Sequence, residues 1–425
     1  MDYFTYQSGQ LYCEQAQTAD IAASHGTPVY IYSSATFLHH YQQLAQAFAP
    51  LEPLICYSVK TNSNIHILQL LGQAGAGFDI VSGGELSRVL QAGGEPAKVV
   101  FAGVGKTDQE ISEAIQAGIG FFTLESAPEA ENISRLAQSL GREVAATLRV
   151  NPDVDPQTHK YITTGKKLTK FGVDIEEAVA FFEKYSNLPS LDLVGLHMHI
   201  GSQVTTIDPY VAAVEKMLRL IQTLRGRGHK IDWLDLGGGF GADYQTDTAP
   251  LAPDYAAALV ELLRGQDLRI AMEPGRFISG NAGVLLTRVL YVKESGPRRF
   301  VIIDAAMNDL IRPALYEAFH FIWPVQPPKG FVPTERCQQP AMDGLIKADV
   351  VGGICESGDF LAKDRLLPPL QRRDLLAVFT AGAYSFSMAS QYNSRVRAPE
   401  VLVDGLEHRI IRRREIYSDL TAAEQ

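Results

Sequence analysis

Several short apolar runs in this chain end on, or lead into, a side chain able to do chemistry. Lys60 closes Leu54-Ile55-Cys56-Tyr57-Ser58-Val59-Lys60, Asp79 closes a second run and Arg149 a fifth. His197 and His199 close a sixth, Gly237, Gly238 and Gly239 follow a seventh, and Glu273 and Arg276 close an eighth. A shielded, nucleophilic lysine amine forms Schiff bases with carbonyl compounds; taken alone, Lys60 reads first as a surface lysine at a strand end. A carboxylate held against a pyridine nitrogen keeps that nitrogen protonated, and the protonated ring is an electron sink for a carbanion. The other reading of Glu273 is a structural ion pair with Arg276. The turn Leu236-Gly237-Gly238-Gly239-Phe240-Gly241-Ala242 fits GxGxxA formally. The dinucleotide fingerprint needs a helix opening at once, in a first βα turn, and here Asp243-Tyr244-Gln245-Thr246-Asp247 follows. Exposed backbone N–H groups in such a turn still suit a phosphate, with a plain tight turn as the alternative. An H-x-H pair on one strand face can bind metal if other strand ends add ligands. His229, His320 and His408 fall elsewhere, so no metal is expected. A ring packed over a flat cofactor is favoured for at least one of His197 and His199, against a core histidine.

These positions gain meaning from the elements that carry them. Strand-like runs are expected at 54-60, 76-81, 97-102, 119-124, 144-150, 193-200, 231-236 and 268-273. Helical spacing is expected at 34-49, 64-74, 83-93, 108-117, 126-140, 174-187, 208-227 and 253-264. Parallel strands need helical crossovers, and eight βα units of this size match an α/β fold of the closed (β/α)8 type. An open doubly wound sheet is the alternative. In a (β/α)8 barrel the C-terminal strand ends form the active-site face, where Lys60, on the face of Ser58 and Cys56, would point. A helix starts near Asn64, with Asn62 or Ser63 able to cap it. Further strands at 27-32, 284-292, 299-304, 375-380 and 408-413 lack alternating helices, and 323-340 holds five of the 22 prolines and reads as a loop or flap. The expected domains are a barrel over 34-277 and a β-rich domain built from 1-33 and 278-425.

Composition narrows the partners. The 425 residues are 46% apolar and 20% charged, with a formal net charge of -10 and no long basic run. Nucleic-acid and anionic-membrane partners would want a basic patch and are not expected. Cys13, Cys56, Cys337 and Cys355 form no CxxC pair and read as free thiols of a reducing compartment. No signal-peptide pattern or membrane-length run is seen, so a cytoplasmic protein is expected.

Longer motifs tie these residues together. They are Tyr57-Ser58-Val59-Lys60-Thr61-Asn62, Gly77-Phe78-Asp79-Ile80-Val81-Ser82-Gly83-Gly84-Glu85-Leu86, Asn151-Pro152-Asp153-Val154 and Thr158-His159-Lys160-Tyr161-Ile162-Thr163-Thr164-Gly165. Lys170-Phe171-Gly172, His197-Met198-His199-Ile200-Gly201-Ser202-Gln203 and Glu273-Pro274-Gly275-Arg276 follow. The last are Arg312-Pro313-Ala314-Leu315-Tyr316, Cys355-Glu356-Ser357-Gly358-Asp359 and Gly382-Ala383-Tyr384. In this order, over nearly the whole chain, they resemble the fold-type III decarboxylases that use pyridoxal 5′-phosphate (PLP), the alanine-racemase-like barrel group, and within it the diaminopimelate decarboxylases. Ser385 and Gln391 depart from the family pattern, which has Gly and Asn there, and touch none of the roles below.

The resemblance implies that Lys60 carries PLP as a Schiff base, His199 stacks on the pyridine face and Glu273 binds the ring nitrogen. Ser202, Gly239, the Gly275-Arg276 backbone and Tyr384 would hold the phosphate, with Asp79, Arg149 and Gly238 completing the cofactor site. Cys355 would return a proton to the reacting carbon. Cys355 and Glu356 reach the partner subunit's site in the family, which implies a homodimer. The implied activity is decarboxylation of meso-diaminopimelate to L-lysine and CO2, the last step of lysine biosynthesis. A bidentate arginine suits the second carboxylate of that substrate. Arg276, Arg312, Tyr316, Glu356 and Tyr384 are the candidates for substrate binding, with Glu356 set for the distal ammonium. Arg312 and Tyr316 are four apart and face one way on a helical turn, with surface packing as the other reading of that pair. Decarboxylation of ornithine, lysine, arginine or carboxynorspermidine, and a non-catalytic regulator on the same fold, are the alternatives.

Overall fold

The computed structural model describes residues 2–155 and 170–424; the motif Thr158–Gly165 lies outside them. The chain divides into two compact units, one of His40–Gly241 and Ala249–Phe277, the other of Met1–His39, Ala242–Thr248 and Ile278–Gln425.

The first unit is built on eight parallel strands: β1 (Leu54–Ser58), β2 (Gly77–Ile80), β3 (Val99–Phe101), β4 (Phe121–Leu124), β5 (Val144–Asn151), β6 (Leu191–His197), β7 (Trp233–Asp235) and β8 (Arg269–Met272). Each pairs with the next, and Ala271 and Met272 of β8 pair back onto Leu54 and Ile55 of β1, which closes the barrel. Closure removes the sheet edges, whose unpaired backbone groups would otherwise need cover. Cys56, Val100, Phe121 and Ala271 pack together as an apolar cluster drawn from four strands. Between strands the helices turn one apolar face inward. In Ala127–Ser139 the buried Ala130, Ile133, Ser134 and Ala137 recur at the three- and four-residue spacing of a helix face. The open doubly wound sheet is thereby excluded.

Six of the eight strands end one to three residues earlier than the apolar pattern predicts, while β4 ends as expected and β5 runs one residue further. β1 stops at Ser58, because the Thr61 hydroxyl donates to the Ser58 carbonyl at 2.9 Å and closes a single 3₁₀ turn over Val59–Thr61. Lys60 therefore sits on a turn, not on the strand. The helix that follows is capped by Asn64, whose Oδ1 accepts from the His66 N–H at 3.1 Å. Neither Asn62 nor Ser63 is the cap; Asn62 instead accepts from the Asn64 N–H at 3.2 Å. β6 stops at His197, so His199 lies beyond the strand and the two histidines do not share a strand face. Glu273 likewise follows the last residue of β8. The predicted helix at 174-187 begins only at Ala178, because Val173–Asp174 is a short strand on the edge of β5.

The second unit is β-rich and joins both ends of the chain. Val29–Ser33 pairs antiparallel with the start of Gly283–Ser295 and parallel with Glu400–Asp404. Strands Ile346–Val351, Phe360–Leu367 and Glu400–Asp404 and a small sheet of Phe4–Gln7, Gln10–Cys13 and Ala16–Gln17 escape the sequence reading. Ile346–Val351 is masked by Lys347 and Asp349; Asp349 is buried and accepts from the Asp364 N–H at 2.7 Å. Most of 323-340 is indeed turn and loop, although Ile322–Pro324 pairs as a strand. Among the described residues no helix is long and apolar enough to cross a membrane.

Candidate active site

At the mouth of the barrel, the end of β1 and the turn after it bring two groups onto the Asp79 carboxyl of β2. The Lys60 ammonium lies 2.5 Å from Asp79 Oδ2, and the Ser58 hydroxyl lies 2.7 Å from the same oxygen and 2.9 Å from the Glu273 carbonyl. Asp79 is fully buried, and burial and the Glu273 charge push its carboxyl up while Lys60 pulls it down. Its Oδ1 has no hydrogen-bond partner among the described residues. Glu85, on the helix after β2, is pushed up to about 7 by burial, against the Val81 N–H and the Lys60 charge.

Glu273 is the electrostatic centre. Its Oε2 meets His197 Nε2 at 3.2 Å and its Oε1 takes no N–H or hydroxyl donor among the described residues, while the side chain also hydrogen-bonds Asp235. Burial alone would raise this carboxyl; the charge and hydrogen bond of His197, with the Lys60 charge, outweigh it and hold Glu273 at about 2. The neighbouring Asp235 goes the other way: burial and the Glu273 charge push it well above its ordinary value. Its Oδ1 accepts from the Gly237 N–H at 2.8 Å. Two like charges in one dry site disfavour each other, and here Glu273 is pulled down while Asp235, hydrogen-bonded to it, is pushed up. His197, Asp235 and Glu273 carry potential ligand atoms within 4.8 Å of one another. The His197–Glu273 contact fills that space with a hydrogen bond.

His199 is held from a different side. The Gly238 N–H donates to its Nδ1 at 3.1 Å, so the ring proton belongs on Nε2. Burial, Arg149 and Lys60 push its basicity well below the usual range. The ring is neutral, with a face free of charge. Arg149 pairs with the buried Glu125 at 2.8 Å and stacks on Phe171 at 4.5 Å, and the Gly172 N–H donates to the second Glu125 oxygen at 2.7 Å.

The glycine turn is a cradle with no room for side chains. A Cβ on Gly238 would stand 2.2 Å from the Glu273 carbonyl oxygen, and one on Gly239 (φ +98°) 2.3 Å from that of Gly201. A Cβ on Gly275 would stand 2.5 Å from Thr61. Behind the turn, Tyr210 donates to the Gly238 carbonyl at 3.0 Å and Tyr255 to the Val204 carbonyl at 2.8 Å, with Phe240 stacked on Tyr210. Beside it, Arg276 donates to the Ser202 hydroxyl at 3.0 Å. Glu125, Tyr210, Asp235 and Tyr255 are contributors that the strand-end search passed over. Asp235, the last residue of β7, and Glu125, directly after β4, carried a clue.

The other candidates lie in the β-rich unit. Arg312 and Tyr316 begin and end one helical turn, with Arg312 buried and Tyr316 half-buried. Cys355 and Glu356 occupy an exposed loop, where the Cys355 N–H donates to Asn393 at 3.0 Å and Tyr392 donates to Glu356 at 2.8 Å. Tyr384 adopts φ +54° in a turn after Gly382.

Residues 34–280 match the family model of the pyridoxal-dependent decarboxylases, pyridoxal binding domain. A diaminopimelate decarboxylase of Pseudomonas aeruginosa is 49% identical over 100% of this chain and 99% of its own length. The chain belongs to the diaminopimelate decarboxylase family. A relative of that name from Aquifex aeolicus is 46% identical, covering 98% of this chain and 96% of its own. The solved structure of diaminopimelate decarboxylase from Helicobacter pylori, complexed with L-lysine, is 39% identical with a TM-score of 0.89 and covers 96% of this chain and 99% of that one. The M. jannaschii diaminopimelate decarboxylase, in co-complex with L-lysine, gives 34%, a TM-score of 0.92 and coverage of 100% and 98%. The family is PLP-dependent, and the barrel mouth fits that cofactor on its own geometry. Glu273 Oε1 is a buried acceptor suited to a pyridinium N–H, the glycine turn suits a phosphate, and Lys60 suits the aldehyde.

The opposite charge states of Glu273 and Asp235 separate two isosteric variants. Asp235→Asn should keep PLP affinity within about threefold, since it replaces a protonated carboxyl. A raised carboxyl costs stability as pH rises through its range, so this variant should gain in melting temperature relative to wild type between pH 4.5 and 8. Glu273→Gln should bind PLP but lose roughly 10²–10⁴-fold in turnover. Thermal melts at two pH values and single-turnover assays check both.

Proposed function

We propose that this chain removes one carboxylate from meso-2,6-diaminopimelate and releases CO2 and L-lysine, with PLP held on Lys60. The observation that carries this reading is Glu273, a buried carboxylate kept ionised by His197, whose Oε1 takes no N–H or hydroxyl donor among the described residues. When bound, PLP supplies a protonated pyridine ring that accepts the electron pair left as the carbon–carboxylate bond breaks. Glu273 holds that ring nitrogen protonated. His199 offers its neutral face to the ring, and Gly239, with Ser202, the Gly275-Arg276 backbone and Tyr384, holds the phosphate. Asp79 keeps the Lys60 amine in place; Arg149, tied to Glu125, lines the site near His199.

The remaining roles follow from chemistry at stated atoms. The Cys355 thiol gives its proton to the reacting carbon after CO2 leaves. Arg312 binds the distal carboxylate, with Arg276 and Tyr316 beside the substrate, and Glu356 takes the distal ammonium. Cys355 and Glu356 are exposed on their own chain, which supports a homodimer in which each supplies them to the partner's site. The family's biosynthetic chemistry supports a cytoplasmic location.

Two measurements test this reading. With PLP and meso-diaminopimelate, equal amounts of CO2 and lysine should form, while ornithine at the same concentration releases little; equal or faster CO2 from ornithine would refute the substrate assignment. Inactive Lys60→Ala and Cys355→Ala chains, dissociated and remixed, should recover about a quarter of wild-type activity, because half the random dimers carry one intact shared site. No recovery means that Cys355 serves its own chain.

A further inference from the structure

Arg312 is contacted by a histidine and by an aromatic ring. Its Nη1 donates to His320 Nε2 at 2.9 Å, and its guanidinium lies 4.7 Å from the centroid of the Tyr244 ring. The same Tyr244 meets the His320 ring edge-on at 5.3 Å. His320 is fully buried and fixed on both sides: its Nδ1 lies 2.9 Å from the Phe379 carbonyl, and its own carbonyl accepts from Arg365 at 2.7 Å. A guanidinium only donates and a carbonyl only accepts. His320 therefore accepts at Nε2 and donates from Nδ1, in one defined tautomer.

We propose that His320 is a positioning residue for substrate selection, whose neutral ring aims the Arg312 guanidinium at a ligand carboxylate without neutralising it. This rests on the reading of Arg312 as the anchor for the distal carboxylate. A carboxylate at position 320 would orient the guanidinium as well, but it would compete with the ligand for the same charge. A neutral acceptor and an aromatic face avoid that competition, and buried Arg365 adds a second positive charge nearby. A buried planar fork is selective for carboxylates only when its orientation is fixed, and the His320 contact fixes it. The sequence alone sets His320 apart from every strand end, so its use is visible only in the fold.

The test uses the PLP-loaded enzyme and two ligands with the same reacting amine. L-Lysine retains the carboxylate that decarboxylation leaves behind; 1,5-diaminopentane lacks it. Both are titrated against the cofactor absorbance. His320→Asn keeps a donor for Phe379 but loses the acceptor for Arg312, and should weaken L-lysine roughly 10- to 100-fold while leaving the diamine unchanged. His320→Gln places an acceptor near the Nε2 position and should stay within about threefold of wild type for L-lysine. Equal losses for both ligands, or a glutamine variant as weak as the asparagine one, would overturn the proposal. Arg312→Met separates it from the reading beneath it. If that variant weakens L-lysine and His320→Asn does not, His320 has no positioning role; if neither does, the anchor itself is wrong and the proposal falls with it. Histidine ¹⁵N spectra of the wild-type enzyme give a check that no variant's folding can blur: a proton on Nδ1 of His320 is expected, and a proton on Nε2 contradicts the arrangement.

Discussion

The barrel mouth depends on keeping one buried carboxylate charged among several that compete with it. Asp79, Asp235 and Glu273 are all nearly sealed from water. Moving an ionised carboxylate into such a place costs several kcal/mol unless a partner offsets it. Lys60 serves Asp79, and His197 serves Glu273, while burial and the Glu273 charge push Asp235 up. This division favours the charge on Glu273. A neutral Glu273 would leave a cofactor nitrogen without a counter-ion, and an ionised Asp235 would raise Glu273 in turn.

The second constraint is closeness of backbone. Gly238, Gly239 and Gly275 each stand where a Cβ would collide with a carbonyl or side-chain atom. Tyr210 holds the turn from behind through the Gly238 carbonyl, and Tyr255 through the Gly241 N–H and the neighbouring Val204 carbonyl. The Gly238 N–H fixes the His199 tautomer. The turn thus sets both a phosphate cradle and the neutrality of the ring beside it.

The barrel was legible because buried parallel strands read as continuous apolar runs, and eight of them spaced by helical segments leave few other folds. Strand ends were less so, since side chains decide them: Thr61 closes the turn that takes Lys60 off β1. Lys60, Asp79 and Glu273 were legible as polar residues at such ends. The histidines were not resolved, because a strand pattern puts His197 and His199 on one face. The fold sends one ring to Glu273 and the other to Gly238. Asp235, Glu125 and His320 act through contacts 24 to 38 or more residues away or across a turn, which no local pattern carries. The β-rich unit was half visible, its hidden strands being those with buried polar residues such as Asp349.

All of this turns on the charge of Glu273. The direct measurement is the ¹⁵N chemical shift of the pyridine nitrogen in enzyme loaded with ¹⁵N-labelled PLP, followed from pH 6 to 9. The account predicts a protonated nitrogen throughout that range, lost in Glu273→Gln. An unprotonated nitrogen in the wild-type enzyme at pH 7 would contradict it.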